Sequence, residues 1–278
     1  MIHIQDMFIP FLLTLFAGLA TGLGGIIVLN VKKTDTSLLS VALGFSAGVM
    51  IYVSFIEIFP QGLDAIVRFF GPSKDFYATI FFFLGIFFIA IIDGLIPEEE
   101  NPHEVASKGE LKEISKDLQG HEDHIQNKEN DLHRVGLMSS LAIAIHNFPE
   151  GLATFMSALV DPSLGITIAI AVAIHNVPEG ISVAIPIYFA TGSRRKAMKT
   201  AFLSGLAEPL GALAGALVLM PFLNDGILGL VFSFVAGIMV YISLDELLPT
   251  AEKYGKHHLS IYGLVAGMMI MAISLHLL

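Results

Sequence analysis

The sequence predicts an all-α integral membrane protein of eight transmembrane helices, and three observations carry that reading. Hydrophobic residues make up 54% of the 278 positions and charged residues only 14%, with a mean hydropathy of +0.74. A soluble domain carries roughly 25% charged residues, so apolar surface this abundant calls for lipid as a second apolar solvent. Long apolar runs recur along the chain, each close to the about 20 residues a spanning helix needs. Backbone groups in lipid must be paired within their own segment, which makes runs of this length helices rather than barrel strands.

The expected spans are about 7–30, 38–59, 76–96, 135–159, 164–188, 197–222, 226–249 and 259–277. No Lys or Arg precedes the first run and it is too long for an h-region, so it reads as a span rather than a cleaved signal. Between the third and fourth spans lies a polar stretch, 97–134, that holds Pro102 and much of the acidic excess behind the net charge of −10. It reads as a flexible linker with a short helical piece around 110–118.

Lys32, Lys33, Lys108, Lys112, Lys116, Lys128, Arg134, Arg194, Arg195, Lys196, Lys199, Lys253 and Lys256 all fall on one side of this layout. Only Arg68 and Lys74 fall on the other. The positive-inside rule puts the larger group, and with it the 97–134 loop, in the cytoplasm. Both termini are then outside a plasma (inner) membrane. With no Cys in the chain, disulfides and thiolate ligands are excluded; with no Trp, Phe and Tyr must supply any interfacial belt.

The chain repeats itself. Ala47-Gly48-Val49-Met50-Ile51-Tyr52-Val53-Ser54 in the second span, continuing to Pro60, matches Ala236-Gly237-Ile238-Met239-Val240-Tyr241-Ile242-Ser243 in the seventh, continuing to Pro249. Gly18-Leu19-Ala20 with Gly24 resembles Gly205-Leu206-Ala207 with Gly211. Spans 1–3 therefore repeat as spans 6–8, and the five-helix offset inverts one copy relative to the other. Inverted repeats are a recurring transporter architecture with the substrate site at their interface. The organisation expected is a first three-helix repeat over 1–96, the cytoplasmic loop 97–134, a central helix pair over 135–188 and a second repeat over 189–278.

The central pair carries the chemistry. Each of its spans holds one copy of a motif: His146-Asn147-Phe148-Pro149-Glu150-Gly151 and His175-Asn176-Val177-Pro178-Glu179-Gly180. His and Glu at i, i+4 and Asn and Glu at i, i+3 share one helix face. Each Pro removes an N–H and crowds the carbonyl four residues earlier, Ile145 or Ile174, so the helix kinks beside the polar cluster. Two such faces turned toward each other offer imidazoles, amides and carboxylates, and Glu208, followed by Pro209, can add a third carboxylate. Imidazole with carboxylate suits Zn²⁺, Fe²⁺, Mn²⁺ or Co²⁺ better than Mg²⁺, Ca²⁺ or Cu⁺. Three ionised glutamates keep one net negative charge with one divalent ion and acquire one net positive charge with two, so bridging of two ions is open.

Other polar residues have plainer readings. Glu57, Asp245 and Glu246 lie near span ends just before a Pro, where interfacial solvation is as good an account as metal binding. His276 reads as an interfacial residue, and His103, His121, His124 and His133 as solvated linker side chains. The pairs Gly18/Gly22, Gly211/Gly215 and Gly263/Gly267 read as helix-packing faces.

The doubled motif, the eight spans and the His-containing loop between spans 3 and 4 resemble the ZIP metal transporters. The full motif in both spans is similar to the ZupT-like bacterial branch. The resemblance covers essentially the whole chain. It implies uptake of divalent metal toward the cytoplasm, a 3+2+3 helix arrangement and a binuclear site. By motif position, Glu150, His175 and Glu179 would hold zinc, with His146 as a further ligand. Asn147, Asn176 and Glu208, with Glu150 and Glu179, would form an adjoining site that prefers Fe²⁺ in similar proteins. Zn²⁺ is then cargo and not a cofactor, the partners are divalent ions and lipid with no nucleic acid, and homodimers are common among relatives. The competing classes are an intramembrane metal hydrolase, for which no separate general base stands out, and a metal sensor or passive channel. The expectation is a transporter and not an enzyme.

Overall fold

The computed structural model describes residues 4–27, 36–95, 145, 147–222, 224–254 and 257–277. The 97–134 linker, its four histidines and His146 lie outside the described residues. What is described is helical: α1 (Phe8–Ile27), α2 (Thr36–Val53), α3 (Phe59–Phe70), α4 (Phe76–Gly94), α5 (147–160), α6 (Pro162–Thr191), α7 (Arg194–Gly205), α8 (Ala207–Ala214), α9 (Asp225–Ile242), α10 (Leu248–Tyr254) and α11 (His257–Leu277). Seven helices among the described residues are long and apolar enough to cross a bilayer. The span expected over 135–159 is described only from 145, and continues as α5.

The second and seventh spans run on past their expected ends. Sequence reasoning stops them near Pro60 and Pro249, yet α3 continues to Phe70 and α10 to Tyr254. The reason is a wide turn in each. Ser54–Ile58 and Ser243–Leu247 are π-helical, with the Phe59 N–H reaching the Ser54 carbonyl and the Leu248 N–H reaching the Ser243 carbonyl. A π turn loosens the ladder just where proline lacks its N–H, so the helix survives the proline. Ser54 Oγ donates to the Met50 carbonyl at 2.6 Å and Ser243 Oγ to the Met239 carbonyl at 2.7 Å. The sixth span behaves differently. It breaks at Leu206 between α7 and α8, one turn before Pro209, where the ring crowds the carbonyl of Gly205.

Caps fix the other ends. Asp161 accepts from the N–H groups of Ser163 (2.8 Å) and Leu164 (3.3 Å) and precedes Pro162, the N1 residue of α6. Asn224 caps α9 through the N–H of Ile227. At the other end of α6, Gly192 takes the left-handed conformation (φ 64°) that ends a helix most cheaply in glycine.

The helices meet at glycines, and the contacts come in matched pairs. A Cβ on Gly48 of α2 would lie 2.0 Å from the Leu264 carbonyl of α11; one on Gly237 of α9 would lie 1.9 Å from the Phe82 carbonyl of α4. Gly85 meets the Phe234 carbonyl and Gly267 meets the Phe45 carbonyl, each at 2.0–2.1 Å from the would-be Cβ. Gly18 and Gly205 pack on each other's carbonyls. Exchanging the two repeats maps each contact onto another, which is local two-fold pseudo-symmetry. The central helices obey the same exchange: Gly24 of α1 meets the Val177 carbonyl of α6, and Gly211 of α8 meets the Phe148 carbonyl of α5. In lipid there is no hydrophobic drive for helices to associate, so close backbone approach through small residues supplies the packing.

Gly48→Ala and Gly237→Ala each force backbones apart at equivalent crossings. Each substitution is expected to lower the thermal unfolding midpoint in detergent by about 3–10 °C, with the two losses similar in size. Differential scanning fluorimetry of the purified variants checks this.

Candidate metal centre

The α5–α6 hairpin brings the two motif copies together. Asp161 and Pro162 turn the chain tightly, and Gly165 of α6 sits against Ala158 of α5, where a Cβ would come within 2.2 Å. The hairpin therefore closes without splaying, and the motif faces meet in its middle. Glu150 and His175 are 2% and 0% exposed, and Glu179, Asn147, Asn176 and Glu208 are buried with them.

Glu150, His175 and Glu179 converge. One ligand atom from each lies within 4.8 Å of the other two. His175 Nε2 stands 3.2 Å from Glu150 Oε2, and its other nitrogen, Nδ1, stands 3.2 Å from the Ala171 carbonyl. A carbonyl only accepts, so Nδ1 carries the hydrogen and donates it. In the neutral ring this leaves Nε2 bare, with its lone pair toward the carboxylate. Two lone-pair atoms face each other stably only around a positive charge, a proton or a metal ion. A backbone carbonyl behind one ring nitrogen is also how metal-binding histidines are ordinarily held in orientation.

A second set of donors adjoins the first. Asn176 Nδ2 donates to the Ala17 carbonyl at 2.8 Å and to Glu208 Oε1. This fixes the amide's orientation and leaves Asn176 Oδ1 and Glu208 Oε2, both buried, without a partner among the described residues. Free oxygens of this kind are what a hard or borderline cation takes. Asn147 Nδ2 lies 3.5 Å from the Ser204 carbonyl, the counterpart of the Asn176–Ala17 contact in the exchanged repeat.

The motif's last residue has a structural reason. A Cβ on Gly151 would fall 2.0 Å from the Glu208 carbonyl, and one on Gly180 would fall 1.8 Å from the Thr21 carbonyl. Glycine at these positions lets α8 close on α5 and α1 on α6, and the first of these contacts carries Glu208 into the cluster.

Of the residues expected from sequence, the structure gathers Glu150, His175 and Glu179, places Asn176 and Glu208 in mutual contact, and buries Asn147 on the α7 side. Glu57 is half-buried and accepts from Gln61 Nε2 at 2.6 Å, while Asp245 and His276 are exposed. Glu246, read from sequence as no more than an even case for interfacial solvation, is buried in the π turn, close enough to Glu179 for their charges to interact. Its counterpart Glu57, at the same place in the other π turn, is only half-buried, so the two turns do not treat their glutamates alike.

A family model described as ZIP Zinc transporter matches residues 7–275. The chain belongs to the ZIP family. It is a multi-pass membrane protein, as its apolar helices require. Among its ZIP relatives, proteins named zinc transporter ZupT align end to end. That of Oceanobacillus iheyensis is 54% identical over 275 residues, covering 99% of both chains. That of Streptococcus mutans is 57% identical over 272 residues, covering 98% of both. That of Clostridium perfringens is 55% identical over 276 residues, covering 98% of this chain and 97% of the relative.

X-ray absorption of the Zn²⁺-loaded protein is expected to show a mixed nitrogen and oxygen shell without sulfur, with nitrogen at about 2.0–2.1 Å. His175→Ala should reduce the nitrogen contribution. An unchanged shell would remove His175 from the ligands.

Proposed function

We propose that this ZIP protein takes up divalent transition-metal ions, Zn²⁺ first and also Fe²⁺, Mn²⁺, Co²⁺ or Cd²⁺, from outside the cell into the cytoplasm. The observation that carries this reading is the buried convergence of Glu150, His175 and Glu179 at ligand spacing in the middle of the α5–α6 hairpin. The names of the ZupT relatives point the same way.

The centre is read as binuclear. Glu150, His175 and Glu179, with His146 from the motif, hold zinc; Asn176, Glu208 and Asn147 build the adjoining oxygen-rich position, with Glu150 and Glu179 bridging. Support comes from the free Asn176 Oδ1 and Glu208 Oε2 beside the first cluster. Buried carboxylates of like charge disfavour full ionisation together, so the centre without metal holds at least one proton. An arriving cation displaces that proton, and release toward the other side restores it.

Alternating access is the proposed mechanism, with the α5–α6 pair carrying the ion between the flanking three-helix repeats in a 3+2+3 layout. The orientation is a plasma (inner) membrane protein with both termini outside and the 97–134 loop in the cytoplasm, on the strength of the basic-residue asymmetry.

Glu150→Ala and Glu179→Ala are each expected to reduce ⁶⁵Zn uptake into vesicles to the background of empty vesicles while leaving membrane insertion intact. Normal uptake by either variant removes that residue from the pathway.

A further inference from the structure

The two-fold exchange that relates the repeats also pairs the residues around the metal centre, and it gives Glu208 a counterpart in α1. Gly18 and Gly205 are one pair, Ala17 and Ser204 another: Asn176 reaches the first carbonyl, Asn147 the second. Gly151 packs on the backbone of Glu208, and Gly180 packs in the same way on the backbone of Thr21. A Cβ on Gly18 would lie 3.3 Å from Glu208 Cβ, and a Cβ on Gly205 would lie 3.0 Å from Thr21 Cβ. Thr21 and Glu208 thus start from equivalent points at the crossing of α1 with the sixth span. Glu208 accepts from the Asn176 amide, and the exchange makes Asn147 the counterpart of Asn176 for Thr21.

Thr21 is 0% exposed, and its Oγ1 has no hydrogen-bond partner among the described residues. Thr154, Ser46 and Ser157 share this feature, but none of them stands opposite Glu208 in the exchange; a helical threonine commonly returns its hydroxyl to the carbonyl one turn back. Thr14 does so in the same helix, to the Pro10 carbonyl at 3.0 Å. The corresponding acceptor for Thr21 is Ala17, and that carbonyl takes the Asn176 amide instead. A buried hydroxyl without a partner costs stability that valine, its isostere, would avoid.

We propose that Thr21 is a further residue of the metal centre, the neutral counterpart of Glu208. Its hydroxyl oxygen enters the coordination shell of the transported ion on the Asn147 side. This inference rests on the transport reading of the Glu150–His175–Glu179 cluster. Its physical logic is charge. A glutamate at this point would add a fourth carboxylate to Glu150, Glu179 and Glu208. A carrier must bind its ion weakly enough to let it leave. The hydroxyl supplies a ligand without a charge, so one half of the pseudo-symmetric centre grips and the other releases.

The test is Zn²⁺ binding to the full chain in detergent by titration calorimetry, with ⁶⁵Zn uptake into proteoliposomes, for Thr21→Val, Thr21→Ser and Thr21→Glu. Thr21→Val is expected to weaken Zn²⁺ binding about 3–10-fold while the metal-free protein unfolds at the same or a higher temperature. Thr21→Ser, which keeps the hydroxyl, should bind close to the unmodified chain. Thr21→Glu should bind Zn²⁺ more tightly or take an additional ion, and turn over more slowly. If Thr21→Val binds and transports as the unmodified chain does, Thr21 only packs and the inference is overturned. That comparison decides the matter even if Thr21→Glu does not fold. Glu150→Ala run in parallel separates the two readings. Normal uptake by Glu150→Ala means the centre itself is misplaced, whereas a silent Glu150→Ala beside a normal Thr21→Val defeats only the role of Thr21.

Discussion

In the middle of the α5–α6 hairpin, the bare Nε2 of His175 faces a carboxylate oxygen of Glu150 across 3.2 Å, out of contact with solvent. Neither atom brings a proton of its own to that contact when the ring is neutral and the acid ionised. A cation is the natural bridge between two such lone-pair atoms. Glu179 adds a second carboxylate whose oxygen lies within 4.8 Å of the other two ligand atoms. The surrounding structure serves this contact. The Ala171 carbonyl fixes the ring, Asp161 and Pro162 fix the hairpin, and Gly151 lets α8 bring Glu208 beside the cluster.

Close packing in lipid and internal symmetry are the second constraint. Lipid tails offer no reason for apolar helices to exclude them, so the repeats are joined through glycines that sit directly on carbonyls of the neighbouring helix. Gly48 and Gly237, Gly85 and Gly267, Gly18 and Gly205, and Gly24 and Gly211 make such contacts in pairs under exchange of the repeats. Symmetry of the frame does not extend to the charges placed on it. Glu208 and Thr21 occupy equivalent points, as do Ile56 and Asp245 in the π turns.

Much of this was legible in the sequence because its signals are redundant. His146/Glu150 and His175/Glu179 at helical spacing, each with a Pro and a Gly, have no bland account when they occur twice in apolar runs. The match of Ala47–Pro60 with Ala236–Pro249 already pairs the residues whose π turns and glycine contacts correspond in the structure. The π turns were not legible. Pro60 and Pro249 read as helix stops, and nothing in residue types announces the extra residue per turn that lets α3 and α10 continue. Nor does the sequence separate buried Glu246 from its half-buried counterpart Glu57. Thr21 was within reach: the match of Gly18-Leu19-Ala20 with Gly205-Leu206-Ala207 aligns it with Glu208 at the next position. A threonine in an apolar helix draws no attention until its unbonded hydroxyl and its pairing with a glutamate are both in view.

The account stands on a buried nitrogen-and-carboxylate centre that selects and carries transition-metal ions. The measurement that tests it most directly is ⁶⁵Zn uptake into proteoliposomes holding the purified chain, challenged with unlabelled divalent ions. Imidazole with carboxylate predicts strong competition from Fe²⁺, Mn²⁺, Co²⁺ and Cd²⁺, and little from Mg²⁺ or Ca²⁺ at the same concentration. Competition by Mg²⁺ or Ca²⁺ equal to that by the transition metals, or no uptake above empty liposomes, would contradict it.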